Sequence, residues 1–494
     1  MKKILETYGF KSEAIPVVVT IYKTDKDYVP TYELRIPGIS EGTKLLLTTK
    51  FRGELMSEID LDISEILDPK KSGEVRKRFF KVAIDLLKRS FKELNNEKAS
   101  MLATYLVQNT LGLGELEVLL FDNQLEEIVI NGSTDYIWVY QKKFGWCKTN
   151  IRIKSEEKIY NYAALIARKV GRQINILNPL LDAHLSTGER VNATLFPIST
   201  YGNTITIRKF SKNPWTVTTL LANKTVDEEV LSLIWLMIQN ELSLLVSGGT
   251  GSGKTSFLNA IAGFIPPNQR IISIEDTREL TLPSFLQWVP MVTREPNPEG
   301  KGEVSMLDLL VNSLRMRPDR IIVGEVRRKR EAEVMFEAMH TGHSVYATLH
   351  ADNASQTISR LTTPPIELPP QILDALAGVV VQLRHRRFNI RRTLEFAEIK
   401  SNGGLNTIYR WDAKLDKIQQ INPLERTMEL LELYAGFTKK EVVEDIEEKK
   451  MILRWMVNKK YFEVDKVGHI ISSYYNNPSE VIKVAKSNKN WVFQ

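Results

Sequence analysis

Apolar runs alternate with amphipathic stretches between about residues 225 and 385. Short, wholly apolar segments are typical of strands buried on both faces, and apolar residues spaced by three and four are typical of the helices that cover them. The pattern predicts helices over 226–240, 252–263, 306–316 and 326–339. It predicts strands over 242–246, 270–274, 320–323 and 344–349. Such alternation indicates an α/β fold, with a parallel sheet covered by helices on both faces.

The chain after this region carries a different pattern. Strands are predicted over 394–399 and 407–411, joined around an Asn402–Gly404 turn. Glycine and asparagine are typical of tight connections between such strands. Helical stretches near 424–458 are expected to finish the chain.

The first 95 residues contain two strand patterns and one amphipathic helix. Strands are predicted over 16–22 and 32–36. From Glu74 to Asn95 apolar residues repeat at spacings of three and four, whereas Lys and Arg occupy the other face. Two interpretations of this basic face stay open: a solvent-exposed face of a bundled helix, or a docking face for the cytoplasmic domain of a membrane protein.

A second unit follows, with strands predicted over 125–132, 136–140, 191–196 and 204–210 and a helix over 156–170. A helix flanked by strands indicates a small α+β domain. Chains of this length hold about three domains as a prior. The predicted division is an N-terminal docking unit over 1–98, an α+β domain over 99–215, and the parallel-sheet domain with its tail over 216–494.

Composition narrows the class of protein only moderately. With 43% apolar and 26% charged residues in 494, the chain is not mainly disordered, collagen-like or built on disulfides. The net charge of +7 is mild and permits phosphate ligands, anionic membranes or acidic partners without selecting one. The single cysteine, Cys147, excludes an intramolecular disulfide or a zinc cluster made by this chain alone. Residues 1–10 contain no apolar core of a signal peptide, so a secretory signal is not expected. No apolar run reaches about 18 residues, and a cytoplasmic protein is expected.

A phosphate-binding loop is the strongest chemical signal. Residues 248–255 read GGTGSGKT, which matches G-x-x-x-x-G-K-T between a predicted strand and a predicted helix. Backbone N–H groups of such a loop form an anion cradle, the lysine (Lys254) reaches the β- and γ-phosphates, and the hydroxyl of Thr255 can ligate Mg²⁺. The predicted nucleotide-binding residues are Gly248, Gly249, Thr250, Gly251, Ser252, Gly253, Lys254, Thr255 and Ser256.

Acidic and histidine residues follow the neighbouring predicted strands. The strand at 320–323 leads to Gly324 and Glu325, where a usual Walker B strand ends in Asp. The strand at 270–274 leads to an acidic segment, 275–279. Ligands bind at this edge of open α/β sheets.

Three of the six histidines, His340, His343 and His350, lie within eleven residues. Their residue types do not suit a zinc site. Polar strand ends facing solvent remain one interpretation, and a γ-phosphate sensor at His350 is the other.

These segments resemble, in order, the motifs of the hexameric ATPases of type II secretion, type IV pili and type IV secretion: phosphate loop, Asp box (275–279), Walker B (324–325) and His box (340–350). A glycine before the Walker B glutamate is usual in that family. The resemblance covers about residues 100–415. Residues 360–365 and the unit before residue 100 are similar to the archaeal branch, which drives the archaellum and archaeal pili. The fold implied is a RecA-like motor domain preceded by a smaller α+β domain.

The resemblance also implies an ATPase that uses Mg²⁺. The implied metal ligands are Thr255 and Glu325. Glu279 is expected to activate water, with Glu275 and Asp276 as open alternatives. The implied catalytic residues are Glu279, Glu325, Lys254, His350, Arg190 and Arg208. In the family, arginines that match Arg190 and Arg208 reach the nucleotide phosphates from the preceding domain; plain solvated arginines are the other interpretation.

Partners follow from the resemblance as well. A homohexamer is expected to act on a polytopic membrane platform protein from the inner face of the membrane, with no nucleic acid. Two rivals stay open. A DNA-translocating motor would use the basic cluster 384–392, which includes Phe388; a non-catalytic nucleotide-binding scaffold is the second. The sequence leaves open whether the machine is an archaellum, an adhesive pilus or a secretion channel.

Overall fold

The computed structural model describes residues 2–59, 71–185, 188–209, 214–296, 300–385, 387–388, 390–401 and 403–493. The chain divides into two compact units, Met1–Lys212 and Asn213–Gln494. None of the helices in these described ranges is both long enough and apolar enough to cross a bilayer.

The first unit contains one nine-stranded sheet. Its strands are β1 (Lys2–Ser12), β2 (Ile15–Thr24), β3 (Thr31–Arg35), β4 (Leu125–Asn131), β5 (Trp138–Gln141), β6 (Gly145–Thr149), β7 (Leu180–His184), β8 (Arg190–Thr194) and β9 (Thr204–Arg208). Their spatial order is β1-β2-β3-β6-β5-β4-β9-β8-β7, and all neighbours are antiparallel except β3 and β6. The helices are α1 (Glu41–Leu46), α2 (Arg52–Glu58), α3 (Ser72–Ser90), α4 (Asn96–Leu111), α5 (Glu115–Phe121) and α6 (Glu156–Lys169).

Strands from both sides of residue 98 share this sheet, because β1–β3 precede that residue and β4–β9 follow it. Asp122 adds a polar link between the two parts: its Oδ2 accepts hydrogen bonds of 2.7 Å from the hydroxyls of Tyr8 and Tyr32. Burial raises the pKa of Tyr32 well above its usual value, so this hydroxyl stays a donor. The division of the chain into three domains stays a prediction.

Helix α3 is the predicted amphipathic basic helix. The apolar side chains of Val75, Phe79 and Leu87 are buried. The exposed basic residues of the helix are Lys77, Arg78, Lys81, Lys88 and Arg89. The predicted amphipathic pattern is therefore confirmed up to Ser90, where the helix ends. The predicted continuation to Asn95 is wrong, because Phe91 has an extended backbone and Asn95 caps the next helix. The docking role of the basic face stays a prediction.

The second unit also contains one nine-stranded sheet. Its strands are β10 (Leu244–Gly248), β11 (Ile271–Glu275), β12 (Trp288–Val292), β13 (Arg320–Val323), β14 (Ser344–Leu349), β15 (Gly378–His385), β16 (Ile390–Ile399), β17 (Leu405–Asp412) and β18 (Lys417–Gln420). The order is β12-β11-β13-β14-β10-β15-β16-β17-β18. The first six strands are parallel, and β16–β18 continue the sheet antiparallel.

Helices cover both faces of this sheet. They are α7 (Val217–Ala222), α8 (Glu228–Gln239), α9 (Lys254–Ala262), α10 (Met306–Ser313), α11 (Lys329–His340), α12 (Ala354–Thr362), α13 (Arg426–Ala435), α14 (Lys439–Asn458), α15 (Val464–Asn476) and α16 (Pro478–Lys486). Successive residues of β10 point to opposite faces: Val246 packs in the cluster that holds Trp235 of α8, whereas Leu245 packs in the cluster that holds Phe336 of α11. Two apolar cores therefore fix the central strands in place.

The predicted parallel strands and their helices are confirmed as β10, β11, β13 and β14 with α8–α11. The sequence patterns missed β12 and β15 in the same sheet, and helices α15 and α16 lie beyond the predicted helical tail. The two predicted strands of the tail are confirmed as β16 and β17, which pair antiparallel. Asn402 of its connecting turn lies outside the described residues, as does Phe210 at the end of a predicted strand.

Arg320 is a fully buried charge at the start of β13. Its guanidinium donates to Gln269 Oε1, Ser344 Oγ, Tyr346 Oη and the carbonyl oxygen of Ile238, at 2.6 to 2.9 Å. These bonds join β13 to β14 and to the end of α8. The folded chain can bury this charge because the four acceptors replace the hydrogen bonds to water that the guanidinium loses.

Replacing Arg320 by Met should lower the free energy of unfolding of the second unit by about 3 kcal/mol, because several buried polar atoms lose their donor. The thermal-unfolding midpoint of the full chain measures this. The exposed Arg330, which pairs with Glu333 on the surface of α11, provides the control, Arg330→Met. Equal midpoints for the two variants would contradict the structural role assigned to Arg320.

Candidate active site

The phosphate loop lies between β10 and α9, where the sequence predicts it. Gly248 ends the strand with φ of 153°, and Gly253 precedes the helix with φ of 93°. A Cβ atom on Gly248 would lie 2.4 Å from both the carbonyl oxygen of Gln382 and Ser252 Oγ, so a side chain cannot be placed there without moving β15. Only glycine permits both this backbone conformation and this close approach.

Lys254 lies inside the loop that it follows. Its Nζ donates to the carbonyl oxygens of Gly248 and Gly249 at 2.9 and 3.1 Å. Burial lowers the pKa of Lys254, and the carboxylates of Glu325, Asp352 and Glu279 oppose that shift. Three acids from separate segments are therefore near enough to the ammonium group to favour its charged form.

The Asp box contains one buried carboxyl group, that of Glu275 at the end of β11. Its Oε1 accepts the backbone N–H groups of Glu279 and Leu280 at 2.8 and 3.1 Å, which fixes the segment that carries Glu279. Among the described residues Oε2 has no hydrogen-bond partner. Burial raises the pKa of Glu275 to about 7. Glu275 is thus engaged with the backbone of its own segment.

Arg327 is a site residue that the sequence patterns did not single out. It donates to Asp276 Oδ2 and to Glu325 Oε2, both at 2.8 Å. The only sequence signal is its position two residues after Glu325, at the carboxyl edge of the sheet. Asp352 was missed as well, and it lies so close to Gly249 that a Cβ there would be 2.7 Å from Asp352 Oδ1.

Of the three predicted histidines, the structure brings only His350 to the loop. Its Nε2 lies 2.8 Å from Thr250 Oγ1. His340 instead contacts the carbonyl oxygen of Ile372, and His343 contacts the carbonyl oxygen of Ala338. The geometry therefore separates His350 from the other two histidines of the box.

The basic cluster on β15 and β16 packs largely within the second unit. Arg391 Nε donates to the carbonyl oxygen of Gly251 at 3.1 Å, and Arg384 Nη1 would lie 3.0 Å from a Cβ on that glycine. Arg392 pairs with Asp416 at 2.7 Å and lowers the pKa of that carboxyl to about 2. Arg386 lies outside the described residues. The contacts of these three arginines weaken the argument for a DNA groove, and the expectation that no nucleic acid binds stays a prediction.

Arg190 and Arg208 belong to the first unit. They stand opposite each other on the antiparallel strands β8 and β9. Arg190 donates to both carboxylate oxygens of Asp182. The structure thus brings the two arginines together, and their expected reach toward nucleotide phosphates stays a prediction.

Thr255 and Glu325 offer a hydroxyl and a carboxylate oxygen, the donor types that Mg²⁺ prefers. In the described part of the chain, no group of three or more His, Cys, Asp or Glu side chains could hold a metal ion. This donor set fits Mg²⁺ that takes its remaining ligands from phosphate and water, and it does not fit an all-protein metal cage.

The parallel sheet, the phosphate loop and the acids at the neighbouring strand ends define a RecA-like P-loop domain. Residues 111–401 match the protein-family model described as type II/IV secretion system protein, and this chain belongs to that family.

Several relatives show the same likeness. An uncharacterized protein of Methanocaldococcus jannaschii is 35% identical over 387 residues, which cover 76% of this chain and 70% of that protein. Another from the same organism is 39% identical over 352 residues, 69% of this chain and 46% of its own length. The type IV secretion system protein PtlH of Bordetella pertussis is 32% identical over 287 residues, 52% of this chain and 84% of PtlH.

Solved structures match this chain at lower identity. The ATPase DotB of Legionella pneumophila is 19% identical, with a TM-score of 0.45 over 73% of this chain and 95% of DotB. The pilus retraction motor PilT with bound ADP is 18% identical, with a TM-score of 0.43 over 72% of this chain and 95% of PilT. The family assignment rests on the family model and the archaeal relatives.

Glu275 should make stability depend on pH in a defined direction. Because its pKa in the folded chain is raised from 4.5 to about 7, the folded state holds the proton more tightly, and stability is lost as pH rises from about 4.5 to 7. Glu275→Gln removes this titration. When the pH is raised from 5 to 8, the thermal midpoint of the variant should fall less than that of the wild type. The difference in lost stability should be up to about 3 kcal/mol.

Glu337→Gln, at an exposed position of α11, is the control. Parallel pH curves for wild type and Glu275→Gln would contradict the expectation.

Proposed function

We propose that this chain hydrolyses ATP and that the energy drives a membrane-bound pilus, archaellum or secretion machine. The observation that supports this most directly is the convergence of Lys254, Glu325 and Glu279 at the phosphate loop, with His350 on the loop hydroxyl of Thr250. A scaffold that only binds nucleotide would not need this set of acids. The family membership supports the same conclusion.

The loop N–H groups and the Lys254 ammonium neutralise the charge on the β- and γ-phosphates. Mg²⁺, when bound at Thr255 and Glu325, supplies further charge neutralisation on the phosphate oxygens. The oxygen of a water attacks the γ-phosphorus, the bond to the ADP oxygen breaks, and the water proton passes to a carboxylate. We assign that carboxylate to Glu279, since Glu275 is already engaged with backbone N–H groups.

His350 is assigned to sense the γ-phosphate through Thr250, which its Nε2 contacts. Arg190 and Arg208 are assigned to the phosphates from the preceding domain, as in the family. Closing such a domain over the nucleotide excludes water and couples hydrolysis to movement. Six copies in a ring would pass that movement to a polytopic membrane platform protein at the inner face of the membrane. The exposed basic face of α3 supports contact with an acidic or membrane-bound partner.

The turnover of ATP by the purified chain tests the enzymatic proposal. Lys254→Ala should abolish both nucleotide binding and turnover. Glu279→Gln should reduce turnover about 10²- to 10⁴-fold, as expected for loss of a general base, while ADP affinity stays near that of the wild type. Lys466→Ala, which removes a surface charge on α15, should change neither.

Unchanged turnover in Lys254→Ala would contradict the proposed site. A larger loss of turnover in Glu275→Gln than in Glu279→Gln, with both variants folded, would move the base to Glu275.

The ring proposal predicts a mass of six chains, each 56.6 kDa, when the protein is mixed with Mg²⁺ and a non-hydrolysable ATP analogue. Light scattering coupled to size-exclusion chromatography measures it. Lys254→Ala is the control, because a variant that does not bind nucleotide should not respond to the analogue. A single-chain mass under saturating analogue would contradict the ring.

A further inference from the structure

Arg327 joins two acidic segments at the candidate site. One end of its guanidinium donates to Asp276, which follows β11, and the other donates to Glu325, which follows β13. Both distances are 2.8 Å. The planar guanidinium suits this arrangement, because its two terminal nitrogens point to separate acceptors, whereas a lysine offers one point charge.

The backbone on both sides keeps Arg327 in this place. The N–H groups of Arg327 and Arg328 donate to Glu331 Oε2 at 3.0 and 3.1 Å, so the first turn of α11 fixes the residue's main chain. Gly324 brings the two strand ends together, since a Cβ there would lie 3.3 Å from the Cα of Glu275. The ion pairs therefore follow from the parallel pairing of β11 with β13, which places the two strand ends side by side.

Glu325 is also the carboxylate that we assign to the metal. An oxygen that accepts a charged hydrogen bond offers less negative charge to a second cation. Asp276 adds a further negative charge close to the same place, and the same arginine neutralises it. The side chain of Arg327 is 55% exposed and that of Glu325 is 28% exposed, so solvent screens the pairs and limits the effect to a moderate one.

We infer that Arg327 is a positioning residue that acts as a resident counter-cation: it holds Glu325 and Asp276 together in the nucleotide-free chain and competes with Mg²⁺ for Glu325. This inference rests on the proposed function, because it takes Glu325 as the metal-side carboxylate. Binding of the metal–nucleotide complex must then weaken the Arg327–Glu325 contact, while the pair with Asp276 can remain. Arg327 thereby lowers the affinity of the site for Mg²⁺, and it makes Mg²⁺ binding depend more strongly on bound nucleotide.

The test measures metal affinity directly in the full-length chain. Free Mn²⁺, a stand-in for Mg²⁺, is titrated by electron paramagnetic resonance in the presence of saturating ADP. Arg327→Gln should bind Mn²⁺ about three- to tenfold more tightly than the wild type, as expected for the loss of screened ion pairs. Arg327→Lys, which keeps one charge, should lie between the two. Affinity for ADP in EDTA should stay unchanged in all of them.

Arg330→Gln is the matched control, because it removes an exposed arginine three residues further along the chain, in the first turn of α11. Its Mn²⁺ affinity should equal that of the wild type. Unchanged or weaker Mn²⁺ binding in Arg327→Gln, in a chain that still binds ADP, would overturn the inference alone. Absence of ADP binding by the wild-type chain would overturn the proposed function and the inference with it. Thermal midpoints exclude unfolding as the cause of either result.

Discussion

The absence of a side chain at Gly248 is the constraint on which the site depends. Strand β10 is central in the sheet, between β14 and β15, and Gly248 stands next to Gln382 in the parallel pairing. A Cβ atom at this position would collide with the neighbouring backbone. The chain can therefore turn out of the central strand only through glycine, and this turn directs Lys254 back into the loop.

Charge balance explains why so many ionisable groups coexist at one edge. The ammonium of Lys254 loses hydration, and three carboxylates around it restore part of its stability as a cation. The cation of Arg327 in turn stabilises the negative charges of Asp276 and Glu325. Two hydrogen bonds hold the strand ends in register. The backbone N–H of Val326 donates to the carbonyl oxygen of Thr348, and the hydroxyl of Thr348 donates to the carbonyl oxygen of Gly324. Positions and charges are thus fixed by the same sheet.

The sequence predicted the parts of this arrangement that depend on local pattern. Strands β10, β11, β13 and β14 were predictable because every residue in them is buried and apolar runs mark such strands. Strand β12 contains Pro290 and is only partly buried, so its pattern is weak. The phosphate loop was predictable from its motif. The partners of Arg327 were not, because they depend on the distance between two strand ends that lie about fifty residues apart in the chain.

The basic residues show why overall charge is a poor guide to partners. A net charge of +7 and the cluster at 384–392 could suggest nucleic acid. In the folded chain Arg391 is bound to the phosphate loop and Arg392 to Asp416. Arg320 is buried in the core, and Arg327 is shared by two acids. A cation that already has a near partner of opposite charge adds little to a field that would attract a polyanion, because the two charges cancel at long range. The ion-paired arginines Arg327 and Arg392 are therefore weak evidence for a nucleic-acid partner.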